Sequence, residues 1–208
     1  MQKAVANLFY RARDYQHAGQ ACEKLGEWEA AARAYEKLDD HARAGACLIK
    51  ADKIEQAAMV LDKGGQHGRA AQLYFRAGNA PNAAGALARA HDYFGAGQLW
   101  MRVNQPERAI QTLGRIPLSH PRSVMACGLM SEALVLLNRR NMACEKLKQA
   151  VEHHGITDPL TAELGYRWGR LAWEAGDAKQ AQDAFTRVRT FDPAFKDATQ
   201  CWEHISRG

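Results

Sequence analysis

Residues 40–65 read DHARAGACLIKAD followed by KIEQAAMVLDKGG, two rows of thirteen with Ala44 and Ala57 at the same place, position five. Carried outward at that period, position five is also Ala18, Ala31, Ala70, Ala83, Ala96 and Ala109, and a row at the N-terminus holds Val5 there. A fixed short period means a stack of like structural units. Position nine is Phe9, Cys22, Tyr35, Leu48, Leu61, Tyr74, Leu87, Trp100 and Leu113, and position two is often a ring: Tyr15, Trp28, His41, His67, Tyr93. Positions two, five, nine and twelve share one face of an α-helix. Positions thirteen and one carry stop and start chemistry (Gly26 and Glu27, Asp39 and Asp40, Gly78 and Asn79, Asn104 and Gln105), with Pro81 and Pro106 in first turns. Each row therefore predicts one short helix and a tight turn. Helices that short are marginal alone in water and must support one another.

Position six divides the rows into two kinds. Even rows place Gly19, Gly45, Ala71 and Gly97 there, where most odd rows have alanine. Position ten agrees over the middle of the array: Ile49, Phe75 and Met101 in even rows, Asp62, Ala88 and Gly114 in odd ones. The repeat is thus a 26-residue hairpin of two unlike helices, small at their contact so that they approach to roughly 8 Å. A glycine on the first helix, a polar turn and an alanine then an aromatic on the second resembles the tetratricopeptide (TPR) family. Towards the end the match tightens: Gly169, Gly176, Asp177, Ala181, Phe185 and Pro193 follow the family's pattern at its spacing. A second unit covers roughly 124–157, with Ser131 at the glycine position and Ala143, Leu147 and Ala150 on the second helix.

The resemblance implies an all-α, right-handed α-solenoid of antiparallel helix hairpins. Residues 1–117 form the short-period array, 118–123 a linker, 124–195 two longer TPR units and 196–208 a capping helix marked by Phe195, Ala198, Trp202 and Ile205, with Lys196, Glu203 and Arg207 facing water. The short array lacks eight residues per hairpin relative to the family, about two helical turns, which predicts clipped second helices. By parity, Val5, Phe9 and Ala12 sit on a second helix without its first-helix partner. Either the row caps the stack, or a preceding segment or another surface covers Phe9.

Composition fits one elongated helical body: 208 residues, 47% hydrophobic, net charge +5. Glu132 interrupts the longest apolar run and no basic-apolar leader opens the chain. The five cysteines are odd in number and never closely paired, which predicts reduced core thiols and a cytoplasmic protein.

Position eleven is basic in all nine rows: Arg11, Lys24, Lys37, Lys50, Lys63, Arg76, Arg89, Arg102 and Arg115. A cation in the last helical turn is favoured by the macrodipole by about 0.3–1 kcal/mol. Acids at the next helix start, as in Arg11 with Asp14, Lys24 with Glu27, Lys37 with Asp40 and Arg89 with Asp92, are placed to neutralise some. Lys50, Arg76 and Arg102 are followed instead by Lys53, Asn79 and Gln105. The resemblance implies a concave groove lined by the even rows, which supply Ile49, Lys50, Gln72, Phe75, Arg76, Phe94, Gln98, Met101 and Arg102, with Tyr166, Arg170 and Trp173 on the matching face of the last TPR.

An apolar floor with amides and cations suits a peptide or protein that carries acids beside apolar anchors. The expectation is a non-catalytic scaffold or adaptor. The alternatives are a structural arm of a larger polypeptide or assembly, and an RNA-binding helical repeat, against which the cations divided between two edges argue. Gly64, Gly65 and Gly68 follow no strand and precede no Lys-Ser or Lys-Thr, His153 and His154 read as solvent-facing residues at a helix end, and no nucleophile, base and orienting group share a recognised spacing. No enzyme activity, metal or cofactor is expected.

Overall fold

The structure, a computed structural model, describes residues 2–207, with side chains from residue 4 onward. Among the described residues it consists of fourteen helices and no strand. The short array is α1 (Gln2–Arg11), α2 (Tyr15–Lys24), α3 (Trp28–Glu36), α4 (His41–Lys50), α5 (Ile54–Lys63), α6 (His67–Arg76), α7 (Ala80–Arg89), α8 (Tyr93–Arg102) and α9 (Pro106–Leu113). From α2 onward each begins thirteen residues after the last, as the alanine period predicts.

The turn that enforces this period is the same in each row. The residue at position thirteen has a positive φ: Arg13, Gly26, Asp39, Asp52, Gly65, Gly78, His91 and Asn104. The next residue sends its N–H back to the carbonyl at position nine, as in Asp40 to Tyr35 at 3.0 Å and Lys53 to Leu48 at 2.9 Å. Its own carbonyl accepts from the following alanine, Ala44 to Asp40 at 3.0 Å and Ala57 to Lys53 at 2.9 Å. One residue therefore ends one helix by a Schellman bond and begins the next. Row nine ends in Pro117, whose ring locks φ negative, so the turn cannot form there and the period stops.

All eight position-five alanines are fully buried. The core face is wider than the spacing predicts, because positions six and eight join it (Ala32, Ala58 and Ala84; Ala34, Cys47, Leu73 and Leu99) while the rings at position two stay half-buried. Position six faces the following helix. A Cβ on Gly19 would lie 2.8 Å from the Tyr35 ring, and one on Gly45 2.6 Å from Leu61, so α2 and α4 each yield a side chain to the residue pressed upon them.

The chain divides into two compact units, one through Leu99 and one from Trp100. In the first, α1 to α7 each pack on their sequence neighbours. In the second, α9, α10 (Ser123–Leu136), α11 (Arg140–His154), α12 (Pro159–Glu174), α13 (Ala178–Phe191) and α14 (Ala198–Arg207) do the same, and α10 also meets α12. Trp168, Phe185, Leu147 and Val188 fill the second core, closed by Trp202 and Ile205 of α14. Gly169 lies under the Phe185 ring, where a Cβ would come within 2.9 Å, and Asp177 caps α13 by accepting the Gln180 N–H at 3.0 Å.

The shortening of the array is shared rather than confined to second helices. First helices α2, α4, α6 and α8 have 10 residues against 14 and 16 in α10 and α12, and second helices α3, α5 and α7 have 9 or 10 against 15 and 14 in α11 and α13. The eight missing residues lie between an alanine and the next row's glycine, a span that covers the end of one helix and the start of the other.

Candidate functional site

In the first unit the even helices expose the expected residues. On α6, Gln72, Phe75 and Arg76 follow one another at helical spacing on the solvent face, and Phe75 is 58% exposed. On α4, Ile49 is half-buried and Lys50 exposed; on α8, Phe94 is half-buried and Gln98 exposed. Lys50 is not a bare cation. Its Nζ lies 4.3 Å from the centroid of the Trp28 ring on α3, an attraction of about 0.5–1 kcal/mol at an exposed site.

Asp14 and Asp40, two of the acids at helix starts, behave differently from expectation. Asp14 pairs with His17 at 2.7 Å, Asp40 with Arg43 at 3.3 Å, and Arg89 reaches Asp62, whose other partner is His67 at 2.7 Å. At Asp14 and Asp40 the cause is capping: the aspartate side chain turns into the helix it begins, accepting from the N–H of His17 at 3.2 Å or Arg43 at 3.0 Å, and so away from the helix it follows, and Asp92 caps α8 by accepting from the Gly95 N–H at 3.0 Å.

Three further links tie helices two apart. Glu23 accepts from the Tyr35 hydroxyl at 3.1 Å and the Cys47 thiol at 3.3 Å; Asn79 donates to Glu55 at 2.6 Å; Lys53 meets Glu29 at 3.7 Å. Burial, then the bond to Glu23, pushes the Cys47 thiol up to about 12. Burial, then the Glu23 charge, pushes the Tyr35 phenol up to about 12.

The second unit holds a cleft of about 450 Å³ lined by Met101, Glu132, Val135, Leu136, Arg167, Arg170 and Leu171. Its floor is apolar, and Leu136 is 65% exposed. At the rim Arg167 donates to Glu132 at 2.9 Å and to the buried Ser131 hydroxyl at 2.7 Å, which fixes the guanidinium. Of the residues expected from sequence the cleft gathers Met101 and Arg170; Arg102 is exposed at the end of α8. Glu132, Val135, Leu136, Arg167 and Leu171 were not expected. The sequence signal for Val135 and Leu136 is the apolar run before Asn138, which reads as core until the open side of α10 is seen.

Tyr166 and Trp173 instead face α14 and the segment before it. The Tyr166 hydroxyl donates to Asp197 at 2.5 Å, Arg170 lies 3.9 Å from the same carboxylate, and Trp173 meets His204 edge-on at 5.9 Å. The bond from Tyr166 holds Asp197 below the usual carboxylate range. Beside them lies a second hollow, lined by Arg170, Trp173, Asp197, Cys201 and His204 among others.

His153 is exposed, but His154 is half-buried, its Nε2 3.0 Å from the hydroxyl of buried Ser123, so only the first faces solvent as the sequence suggests. Among the described residues no group of three or more His, Cys, Asp and Glu side chains is placed to hold a metal ion, and no helix is long and apolar enough to cross a membrane.

No protein-family model matches the chain, and no curated protein matches its sequence. Solved structures do. The crystal structure of MamA is 18% identical, with a TM-score of 0.51 over 66% of this chain and 83% of that one. The C-terminal part of a TPR repeat-containing protein from Cytophaga hutchinsonii is 12% identical, with a TM-score of 0.51 over 96% of this chain and 98% of that one. At such identities the likeness is one of fold. In fold, the chain is a TPR-like α-solenoid.

Proposed function

We propose that the chain is a non-catalytic interaction module that holds a partner protein or peptide along the first helices of its hairpins. The observation that carries this reading is the cleft over α10 and α12, in which Met101, Val135, Leu136 and Leu171 form an apolar floor beneath Glu132, Arg167 and Arg170. An exposed leucine contributes little to folding, whereas covering it from water is worth about 1.5–3 kcal/mol. Phe75 beside Gln72 and Arg76 on α6 supports the same use of a first helix in the other unit. In each unit by itself, the partner then carries acids next to apolar anchors: in the first the acids meet Lys50 and Arg76 and the anchor meets Phe75, and in the second the acids meet Arg102 and Arg170 and the anchor meets Leu136. Five free thiols, four of them buried, fit a reducing compartment, and we place the module in the cytoplasm.

The experiment is co-purification from the source cell, comparing the parent with a Lys50→Glu, Arg76→Glu, Arg102→Glu variant and with Leu136→Asp. All four side chains are solvent-exposed, so circular dichroism is expected to match the parent. Partner recovery is expected to fall for both variants; recovery equal to the parent in both removes the first-helix surfaces from the account.

A further inference from the structure

The outer face of α1 departs from the burial pattern of every other row. Position five is fully buried in α2 to α9, yet Val5 is 44% exposed; position eight is buried as Ala34, Cys47, Leu73, Ala86 and Leu99 and half-buried as Ala21 and Val60, yet Leu8 is 63% exposed. With exposed Ala12, one residue past the end of α1, they form a stripe spaced three and four. The adjoining side is anchored: Ala6 is buried, the Phe9 ring lies 5.5 Å from His17, and Tyr10 meets Tyr15 edge-on at 5.2 Å.

The occupant of this face differs from the array's own rows. Those rows pack through alanine at position five, and the branched Val5 holds a neighbour further off. Charge narrows the choice. Residues 4–13 contain Arg11 and Arg13 and no acid, and the first carboxylate, Asp14, is engaged by His17. A second copy laid on this face would bring like charges together, while a negatively charged partner meets opposite ones. We propose that the stripe of Val5, Leu8 and Ala12 docks an amphipathic helix of a partner protein, apolar on one side and flanked by glutamate or aspartate. This site stands apart from the first-helix surfaces and does not rest on them.

The test uses the full chain with labelled valine and leucine methyl groups, titrated with a designed helical peptide of roughly 18 residues. The peptide carries a leucine stripe flanked by glutamates, and a counterpart carries lysines in their place. The expected result is saturable shifts at Val5 and Leu8 with the glutamate peptide, whether or not the methyls of Val135, Leu136 and Leu171 also respond. Affinity should fall about tenfold in Val5→Glu/Leu8→Glu, and should also weaken in about 0.5 M salt. Both side chains point to solvent, so that variant is expected to fold, and Leu136→Asp should leave the shifts at Val5 and Leu8 as they are in the parent. Silence at the two methyls, equal shifts with the lysine peptide, or shifts that grow with protein concentration alone, the mark of a second copy, would each overturn the proposal.

Discussion

At the scale of single residues, the same substitution has opposite signs at two glycines. Alanine for glycine inside a helix gains about 1 kcal/mol of propensity. At Gly68, with nothing near the added carbon, that gain stands, and Gly68→Ala is expected to raise the denaturation midpoint. At Gly45 the new carbon would sit 2.6 Å from Cγ of fully buried Leu61, and overpacking of about 1–3 kcal/mol outweighs the gain, so Gly45→Ala lowers it. The sequence shows Gly45 plainly, because the period repeats it. It does not show Arg167, whose partners Ser131 and Glu132 lie a full repeat away and share no period with it.

The Glu23 cluster makes a second prediction at this scale. In the unfolded chain Cys47 and Tyr35 titrate near 9.0 and 10.0, in the fold near 12. Raised values favour the protonated forms in the native state, so the stability they contribute is whole below about pH 9 and is lost as pH climbs towards 12. Urea midpoints measured across that window should fall, and fall less in Cys47→Ala/Tyr35→Phe. Native Cys47 should also resist iodoacetamide at neutral pH.

At the scale of the element, the left-handed residue decides where a helix stops. Five of the eight short turns seat a side chain there, among them Asp52 at φ 58°, and each costs about 1–2 kcal/mol against glycine. Asp52→Gly is therefore expected to raise the thermal midpoint, and Asp52→Val to lower it. The glycines at 26, 65 and 78 announce these turns in the sequence; Arg13 and His91 do not, and only the strict period locates them. The helix pairs were legible because small residues recur where backbones approach. The division of the shortening between both helices was not, since the missing residues leave no mark of which helix lost them.

At the scale of the molecule, no described helix in the short array depends on a long list of others: each from α1 to α7 rests on its sequence neighbours. Stability is then a sum of local terms. Amides of α1, with a single neighbour and an open outer face, should exchange with solvent first, and those of α12 and α13 around Trp168 and Phe185 last. Equal rates throughout would show one all-or-none body instead.

The connector in which one amino acid closes a helix and opens the next leaves no slack. Adding or removing a single residue there would rotate everything downstream by about 100° about the helix axis and swing the apolar face into water. Lineages of this array can change length only by the cassette. Twenty-six residues preserve the alternation of glycine-bearing and alanine-bearing helices, whereas thirteen would set two of one kind side by side.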